Sequence, residues 1–315
     1  MKGLELARRY YEAFGREMIR EQFPELEGVI AVGLVGEGSE CFGFDDDISR
    51  DHDFEPGFCL FIPQSEDAVD SRTEFRLERA YAALPKEFMG FKRQKISPVG
   101  GNRHGVIRTG DFYKKLLGSE NGPESFAEWF SLPEHYLATA TNGEIFRDDS
   151  GAFSAVRRRI AFYPADVFLK KLAGNLLLMA QSGQYNYSRC ISHGEQGAAQ
   201  LALFEFAGHA MHAAFLLNGR YMPYYKWRFR AMRGLEKFAS FAETLEFLLT
   251  SDNSPDMAEI KYAAIEDIAS GFISELQDRG LTEAVCGDLE KHAYSVNDRV
   301  SDSNVRNLNV LAAVE

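Results

Sequence analysis

The stretch VIAVGLVGEGSECFGFDDDISRDHDFEPGFCLFIP, residues 29–63, contains two predicted strands and the candidate site between them. Its beginning, residues 29–35, is a short apolar run typical of a buried β-strand. The run ends at the turn Gly38-Ser39, where glycine lets backbone amides approach a phosphate and the serine hydroxyl can donate to phosphate oxygens. A second apolar run, residues 54–62, predicts the next strand.

Two acidic residues, Asp51 and Asp53, lie directly before that second run. In an extended segment alternate side chains share a face, so both carboxylates are expected to point the same way. Neighbouring carboxylates repel each other unless a cation lies between them. Mg²⁺, or Mn²⁺ in its place, fits because it takes oxygen ligands and leaves positions open for substrate phosphates. His52 then faces the opposite side and is interpreted as structural.

Other acidic residues near this pair have a simpler interpretation. Asp45, Asp46 and Asp47 are read as loop residues or as a secondary electrostatic wall, and a solvated acidic loop is the alternative for the whole segment. The spacing also resembles an EF-hand calcium loop. That interpretation fails because Arg50 occupies the glycine position and Pro56 the position of the bidentate glutamate.

The glycines of the turn fit no dinucleotide or P-loop motif. Gly36 and Gly38 would require a third glycine at position 41, which is Cys41. No Gly-Lys-Ser/Thr follows, which excludes a P-loop NTPase on motif grounds.

The apolar strand, the turn Gly38-Ser39 and the pair Asp51 and Asp53 together resemble the nucleotidyltransferase superfamily with its polymerase-beta-like palm. A closer resemblance is to a bacterial family, domain of unknown function 4037, through GSECFGFDDDISRDHDF and LLNGRYMPYYKW (residues 216–227). The first resemblance implies transfer of a nucleoside monophosphate from Mg²⁺-NTP, with ATP expected as the nucleotide, to a hydroxyl of a small molecule or protein. Pyrophosphate is released.

The superfamily normally completes its metal site with a third carboxylate from a later strand. The candidate strands here, residues 88–96 and 104–110, contain no acidic residue. Asp111, Glu144 and Asp148 are the nearest substitutes and are ranked equally. Because these strands lack the third carboxylate, an alternative function is a non-catalytic nucleotide-binding regulatory module on the same fold.

The expected fold class is α+β. A nucleotidyltransferase-like palm domain of mixed sheet and helices is expected over residues 1–150, and a helical bundle domain over residues 151–315. A polar tail, residues 295–309, is expected to be poorly ordered. Asp111 is a candidate N-cap for the helix that follows it. Apolar periodicity predicts helices over residues 4–22, 74–84 and 112–118 in the first domain, and over residues 165–182, 196–218, 223–241 and 257–277 in the second.

Aromatic and polar residues of the second domain form another candidate cluster. Asn186 and Arg189 lie in QYNYSRC, and Lys226 lies in NGRYMPYYKW. Aromatic rings can stack on a base and cations can contact a triphosphate, so these three are predicted to bind nucleotide, with Lys226 the first choice for a phosphate. A polar helix junction is the equally weighted alternative.

Three residues on one helix have metal-ligand spacing. Glu205, His209 and His212 share one face of the run LALFEFAGHAMHAAFLL. Structural histidines are the favoured interpretation, with metal binding the alternative.

Composition bounds the partners and the compartment. The chain has 315 residues, and 35 basic against 47 acidic side chains give a formal net charge of −12, which disfavours a nucleic-acid partner. No apolar run is long enough for a membrane span, and the first residues lack the apolar core of a signal peptide.

Cys41, Cys59, Cys190 and Cys286 form no Cys-x-x-Cys pair, so reduced thiols and a cytoplasmic location are expected. Cys41, two residues after Ser39, is a candidate reactive thiol.

Overall fold

A computed structural model describes residues 1–48, 54–93 and 103–314. The chain divides into two compact units. The first comprises Met1–Pro123 and Tyr136–Ala161, and the second comprises Glu124–His135 and Phe162–Glu315. The fold class is α+β, as predicted.

A four-stranded mixed sheet is the centre of the first unit. Its spatial order is β5-β2-β1-β6, with β2 and β5 parallel and the other pairs antiparallel. Every residue of β1 and β2 is buried, which explains why both read as continuous apolar runs. The strands are β1 (Ala31–Leu34), β2 (Cys59–Ile62), β5 (Gly105–Arg108) and β6 (Glu144–Arg147), and a separate hairpin pairs β3 (Glu87–Phe88) with β4 (Phe91–Lys92).

Helices cover this sheet and complete its core. Tyr10 and Phe14 of the first helical segment pack on aromatic rings of the hairpin and of the approach to β2. The helix predicted over residues 4–22 contains a π-helical turn at Tyr11–Gly15. The α-helices are α1 (Gly3–Tyr10), α2 (Arg16–Gln22), α3 (Ser71–Ala83), α4 (Thr109–Leu117), α5 (Phe126–Ser131), α6 (Glu134–Thr141) and α7 (Ala152–Arg159); α5 belongs to the second unit and α6 crosses the division between the units.

Two predictions for the first unit are wrong in detail. The strand predicted over residues 88–96 is a tight hairpin in its described part, because Met89 and Gly90 adopt positive φ and reverse the chain. Asp111 is not an N-cap: α4 begins at Thr109, and Asp111 lies in its first turn.

The second unit consists of helices packed around α8. Helix α8 contacts α10 and α14, and a π-helical segment, Ala180–Tyr187, continues from its end. None of the described helices combines the length and apolar character needed to cross a bilayer. The α-helices here are α8 (Ala165–Met179), α9 (Ser188–Ser192), α10 (Gln196–Leu217), α11 (Arg228–Met232), α12 (Phe241–Thr250), α13 (Pro255–Asp278), α14 (Leu289–Asn297) and α15 (Ser303–Asn307).

The single helix predicted over residues 223–241 is wrong. A 3-10 turn, Tyr225–Trp227, precedes the short α11, and turns follow as far as α12. Gly234 lies just beyond α11, and Phe238 adopts φ 68°, which no helical residue does.

The polar tail, predicted as poorly ordered over residues 295–309, is folded. The fully buried ammonium of Lys170 donates to Asn297 Oδ1 at 2.7 Å and to the carbonyl oxygens of Arg306 and Leu308 at 3.2 and 2.8 Å. Composition missed this because the partner is a lysine far away in the sequence.

Candidate functional site

Four chain segments meet at one edge of the mixed sheet. The pairings Gly33↔Cys59 and Leu34↔Glu144 place the end of β1 beside the beginnings of β2 and β6. The pairing Cys59↔Gly105 places the beginning of β5 at the same edge. The glycine turn therefore leaves the sheet where three other segments enter it.

The turn itself requires glycine at two positions. Gly36 and Gly38 have φ values of 104° and 130°, a region that other residues rarely adopt. Ser39 then adopts a helical conformation and begins the 3-10 turn Glu40–Phe42. A Cβ on Gly38 would overlap the carboxyl group of Glu40, so the side chain of Glu40 fills the space beside the turn.

Glu40 is buried, with 8 % of its surface exposed. Burial raises the pKa of its carboxyl group, while the positive charges of His104 and Arg103 and its own backbone hydrogen bond act in the opposite direction. The carboxyl group therefore packs against Gly38 of the turn and is not a solvated charge of the acidic loop.

Asn142 and Arg157 hold the turn from the β6 side. The amide of Asn142 accepts from the N–H of Gly36 and donates to its carbonyl oxygen, each at 2.8 Å. The guanidinium of Arg157 in turn donates to the carbonyl oxygen of Asn142 at 2.6 Å. The position of Gly36 is therefore fixed by residues more than 100 positions away.

A cavity of about 200 Å³ opens beside this turn. Arg103 and Lys115 bring positive charge to it, and Lys115 pairs with Glu37 at 3.2 Å. Sequence reasoning missed both cations, because only the pairing of β5 with β2 brings them to the glycine turn. The lining residues are Val35, Gly36, Glu37, Arg103, Ile107, Asp111, Phe112, Lys115 and Leu116.

Asp51, His52 and Asp53 lie outside the described residues. The structure describes the chain again from Phe54, which is buried, and Glu55 pairs with His104 Nδ1 at 3.1 Å. The chain therefore approaches β2 next to the segment that enters β5.

The three candidates for a third carboxylate have different surroundings. Asp111 lines the cavity, and its Oδ1 accepts from Gln64 at 3.1 Å. Glu144 forms an ion pair with Arg8. Asp148 accepts from the N–H of Ser154 at 2.8 Å, in the first turn of α7. Of the three, Asp111 is the one that lines the cavity beside the glycine turn.

Cys41 and Cys59 are both buried in the first unit. Burial raises the pKa of the Cys41 thiol well above its usual value, and raises that of Cys59 to about 12. A buried neutral thiol is a poor nucleophile, so the prediction of a reactive thiol at Cys41 is wrong.

The second predicted cluster lies in the second unit. The guanidinium of Arg189 lies 5.1 Å from the ring centre of Tyr185, and the ammonium of Lys226 lies 4.4 Å from that of Trp227. Asn186 lines a separate cavity together with Tyr185. These contacts hold both cations over aromatic faces.

The residues of this second cluster lie within a segment that matches a known protein family. Residues 129–228 match the family model Domain of unknown function (DUF4037). The match includes residues 216–227, on which the resemblance to this family was partly based, and it supports that resemblance. The match does not extend to residues 29–63. No curated protein and no solved structure matches the chain.

Within the matched residues 129–228, His209 and His212 have separate partners. His209 contacts Asn175 Oδ1 at 2.9 Å and Glu205 at 3.4 Å, whereas His212 contacts the buried Glu134 at 2.7 Å. Burial, followed by the charge of His212, lowers the pKa of His209 to about 4. In the part of the chain that the structure describes, no three His, Cys, Asp or Glu side chains are grouped so as to hold a metal ion.

Proposed function

We propose that the first unit is a nucleotidyltransferase that moves a nucleoside monophosphate from Mg²⁺-NTP, with ATP as the expected donor, to a hydroxyl of a small molecule or protein. The observation that carries this proposal is the meeting of four chain segments at one sheet edge. The glycine turn after β1 lies where the chain enters β2, and in the sequence Asp53 directly precedes the first described residue of that approach, Phe54.

The charges beside the turn support binding of a triphosphate. Arg103 and Lys115 line the cavity together with Gly36, whose backbone conformation excludes a bulky side chain. Cations bind phosphate oxygens through charge-assisted hydrogen bonds, whereas the N–H of Gly36 is already bonded to Asn142 Oδ1. Gly38 and Ser39 extend the same turn and are assigned to the β- and γ-phosphates.

The carboxylates fit Mg²⁺ or Mn²⁺ by their chemistry. Asp51 and Asp53 supply hard oxygen ligands, and Asp111 adds a third carboxylate in the cavity. When bound, the metal ion neutralises charge on the phosphoryl group that is transferred.

The reaction needs a group that takes the proton of the acceptor hydroxyl. That oxygen attacks the α-phosphorus, the bond from the α-phosphorus to its bridging oxygen breaks, and pyrophosphate leaves. We assign the proton to Asp111, because Glu144 is engaged by Arg8 and Asp148 by the backbone of α7. A carboxylate at this position can act as a general base.

The experiment compares Asp53→Asn with Asp67→Asn in a pyrophosphate-release assay with Mg²⁺ and each NTP. Asp67 is an exposed residue beyond the far end of β2, so its variant makes the same chemical change away from the candidate site. We expect release to be abolished in Asp53→Asn and retained in Asp67→Asn, with the folds of both unchanged by circular dichroism. Equal release by the two variants contradicts the proposal.

The second candidate function is a nucleotide-binding regulatory module without turnover. It is favoured by the sequence of β5, Gly105–Arg108, which offers no carboxylate on the strand next to β2. Calorimetric titration with Mg²⁺-NTP separates the two functions. Binding without pyrophosphate release favours the module.

The proposed acceptor is a small molecule or a protein, and the proposed location is the cytoplasm. A net charge of −12 favours a small molecule or protein over a nucleic acid. The four cysteines are free thiols, which agrees with the proposed cytoplasmic location.

A further inference from the structure

The second unit contains a cavity of about 670 Å³ that the proposed function does not use. A volume of this size holds a small organic ligand. One wall is the π-helical segment Ala180–Tyr187, and the others come from α13 and from the beginning of α14. Segments with π-helical geometry are rare and occur frequently at functional sites.

Two tyrosine rings give this cavity an apolar and polarizable surface. Tyr185 projects from the π-helical segment with 58 % of its surface exposed, and Tyr262 projects from α13 with 38 % exposed. The guanidinium of Arg189 already lies over one face of Tyr185, 5.1 Å from the ring centre. The other face of Tyr185 and the ring of Tyr262 offer surfaces on which methylene groups pack and to which cations are attracted.

The charges that line the cavity are all negative. Glu266, Asp288 and Glu290 contribute carboxylates, and no Lys, Arg or His is among the described residues that line it. None of the three forms an ion pair within the described part of the chain, whereas Glu275, which lies on the same helix as Glu266, pairs with Lys237 at 2.6 Å. The described residues that line the cavity therefore give it a net negative charge in a partly enclosed space.

Gln184 holds this arrangement in place. Its amide donates to Glu266 Oε2 at 3.0 Å and to the carbonyl oxygen of Gly287 at 2.8 Å, and accepts from the N–H of Leu289 at 3.0 Å. One side chain thus joins the π-helical segment to α13 and to the segment before α14. Rigid placement of polar groups before binding reduces the entropic cost of binding.

The cavity does not suit an anion or a single metal ion. The first N–H groups of α14, which otherwise attract anions, already bond to Gln184 and to the carboxylate of Asp288. The three carboxylates are not grouped so as to share one metal ion, since no such group occurs among the described residues. Separated negative charges beside tyrosine rings match a ligand with separated positive charges and an apolar body.

We propose that this cavity binds a linear polyamine, with ammonium groups at Glu266 and at the carboxylates of Asp288 and Glu290, and with methylene groups on Tyr185 and Tyr262. Binding here does not depend on nucleotidyl transfer.

The test is calorimetric titration of the full-length chain with spermidine at low salt. Glu266→Gln keeps an oxygen that accepts from Gln184 but removes the charge. Glu259→Gln is the control, because Glu259 is an exposed residue of the same helix and does not line the cavity. We expect Kd to rise about tenfold or more in Glu266→Gln, since a lost charge-assisted contact has roughly that effect. The control keeps the wild-type Kd.

Two further titrations separate a polyamine site from general attraction to an acidic protein. Octane-1,8-diol, an uncharged chain of similar length, is expected not to bind. MgCl₂ is expected not to compete with spermidine at equal ionic strength. The proposal is overturned if wild-type protein does not bind spermidine at millimolar concentration, if Glu266→Gln and Glu259→Gln have the same Kd, or if the diol binds or MgCl₂ competes as well as spermidine.

Discussion

The side-chain amide of Asn142 forms two hydrogen bonds with the backbone of Gly36, accepting from its N–H and donating to its carbonyl oxygen, each at 2.8 Å. Asn142 directly precedes the segment that enters β6, and Gly36 begins the turn that leaves β1. The two bonds fix the glycine turn relative to the sheet. They also satisfy backbone groups that would otherwise lack partners in a region of positive φ.

Asn142→Ala is expected to release the turn. Loss of both bonds leaves the polar groups of Gly36 unsatisfied, and the free energy of unfolding should fall by about 1–3 kcal/mol. Nucleotide affinity should fall as well. Urea denaturation and Mg²⁺-ATP titration measure the two effects.

Asn218→Ala is the matched control for that variant. Asn218 also bonds to backbone groups, those of Ala214 and Lys237, but it lies in the second unit. It should lose stability and keep its nucleotide affinity. If both variants lose affinity equally, Asn142 has no special role at the turn.

Gly38→Ala is expected to damage the turn directly. At φ 130° an alanine is strained by about 1–3 kcal/mol, and its Cβ also displaces Glu40. Gly43→Asn is the control, since Gly43 has φ 70° and open space around it, and asparagine tolerates that conformation. Pyrophosphate release should be lost in the first variant and kept in the second. Full activity of Gly38→Ala would show that the turn does not position a phosphate.

The stability of the second unit should depend on pH through His209. Because its pKa in the folded chain is about 4 and its ordinary value is 6.5, the unfolded chain binds more protons between these pH values. Stability is therefore lost as pH falls from 6.5 towards 4, by up to about 3 kcal/mol. The neighbouring Glu205 is largely exposed, so water screens its opposing effect.

His209→Gln removes this titrating group. Urea denaturation at several pH values should show a smaller loss of stability below pH 6.5 in the variant than in the wild-type chain. If the variant and the wild-type chain lose the same stability below pH 6.5, His209 is not a buried, neutral group.

Lys170→Met should loosen the C-terminal tail. The fully buried ammonium donates to Asn297 Oδ1 and to the carbonyl oxygens of Arg306 and Leu308. A methionine removes this donor from all three acceptors, of which the carbonyl oxygen of Arg306 keeps a second donor, Asn297 Nδ2. The expected loss is about 2–4 kcal/mol, with faster proteolysis after residue 300. Lys291→Met, at an exposed position of α14, should change neither. A protease-resistant tail in Lys170→Met would contradict its role as an anchor.

Local patterns predicted the elements that are buried on both faces or strongly periodic. The runs at residues 29–35 and 54–62 contain β1 and β2, because a fully buried strand must be apolar throughout. The periodic helix at 196–218 coincides with α10 within one residue. The apolar stripe at 223–241 wrongly predicted one helix, because turns also bury aromatic residues. Apolar spacing alone does not distinguish a helix from such turns.

The candidate site was only partly accessible from the sequence. Gly38 and Ser39 lie in the turn predicted for them, whereas Arg103, Lys115 and Asn142 reach it through strand pairing across long sequence separations. No local pattern encodes such pairing. The choice of Asp111 among three carboxylates likewise depends on which partners Glu144 and Asp148 have.

We infer that the edge of the sheet beside Gly38 and Ser39 binds a metal-nucleotide complex. Crystals soaked with Mn²⁺ and a non-hydrolysable ATP analogue test it most directly, because Mn²⁺ gives an anomalous signal. We expect a peak bound by Asp51 and Asp53, with the triphosphate at Arg103 and Lys115. A nucleotide bound elsewhere, or a peak away from both aspartates, would contradict it.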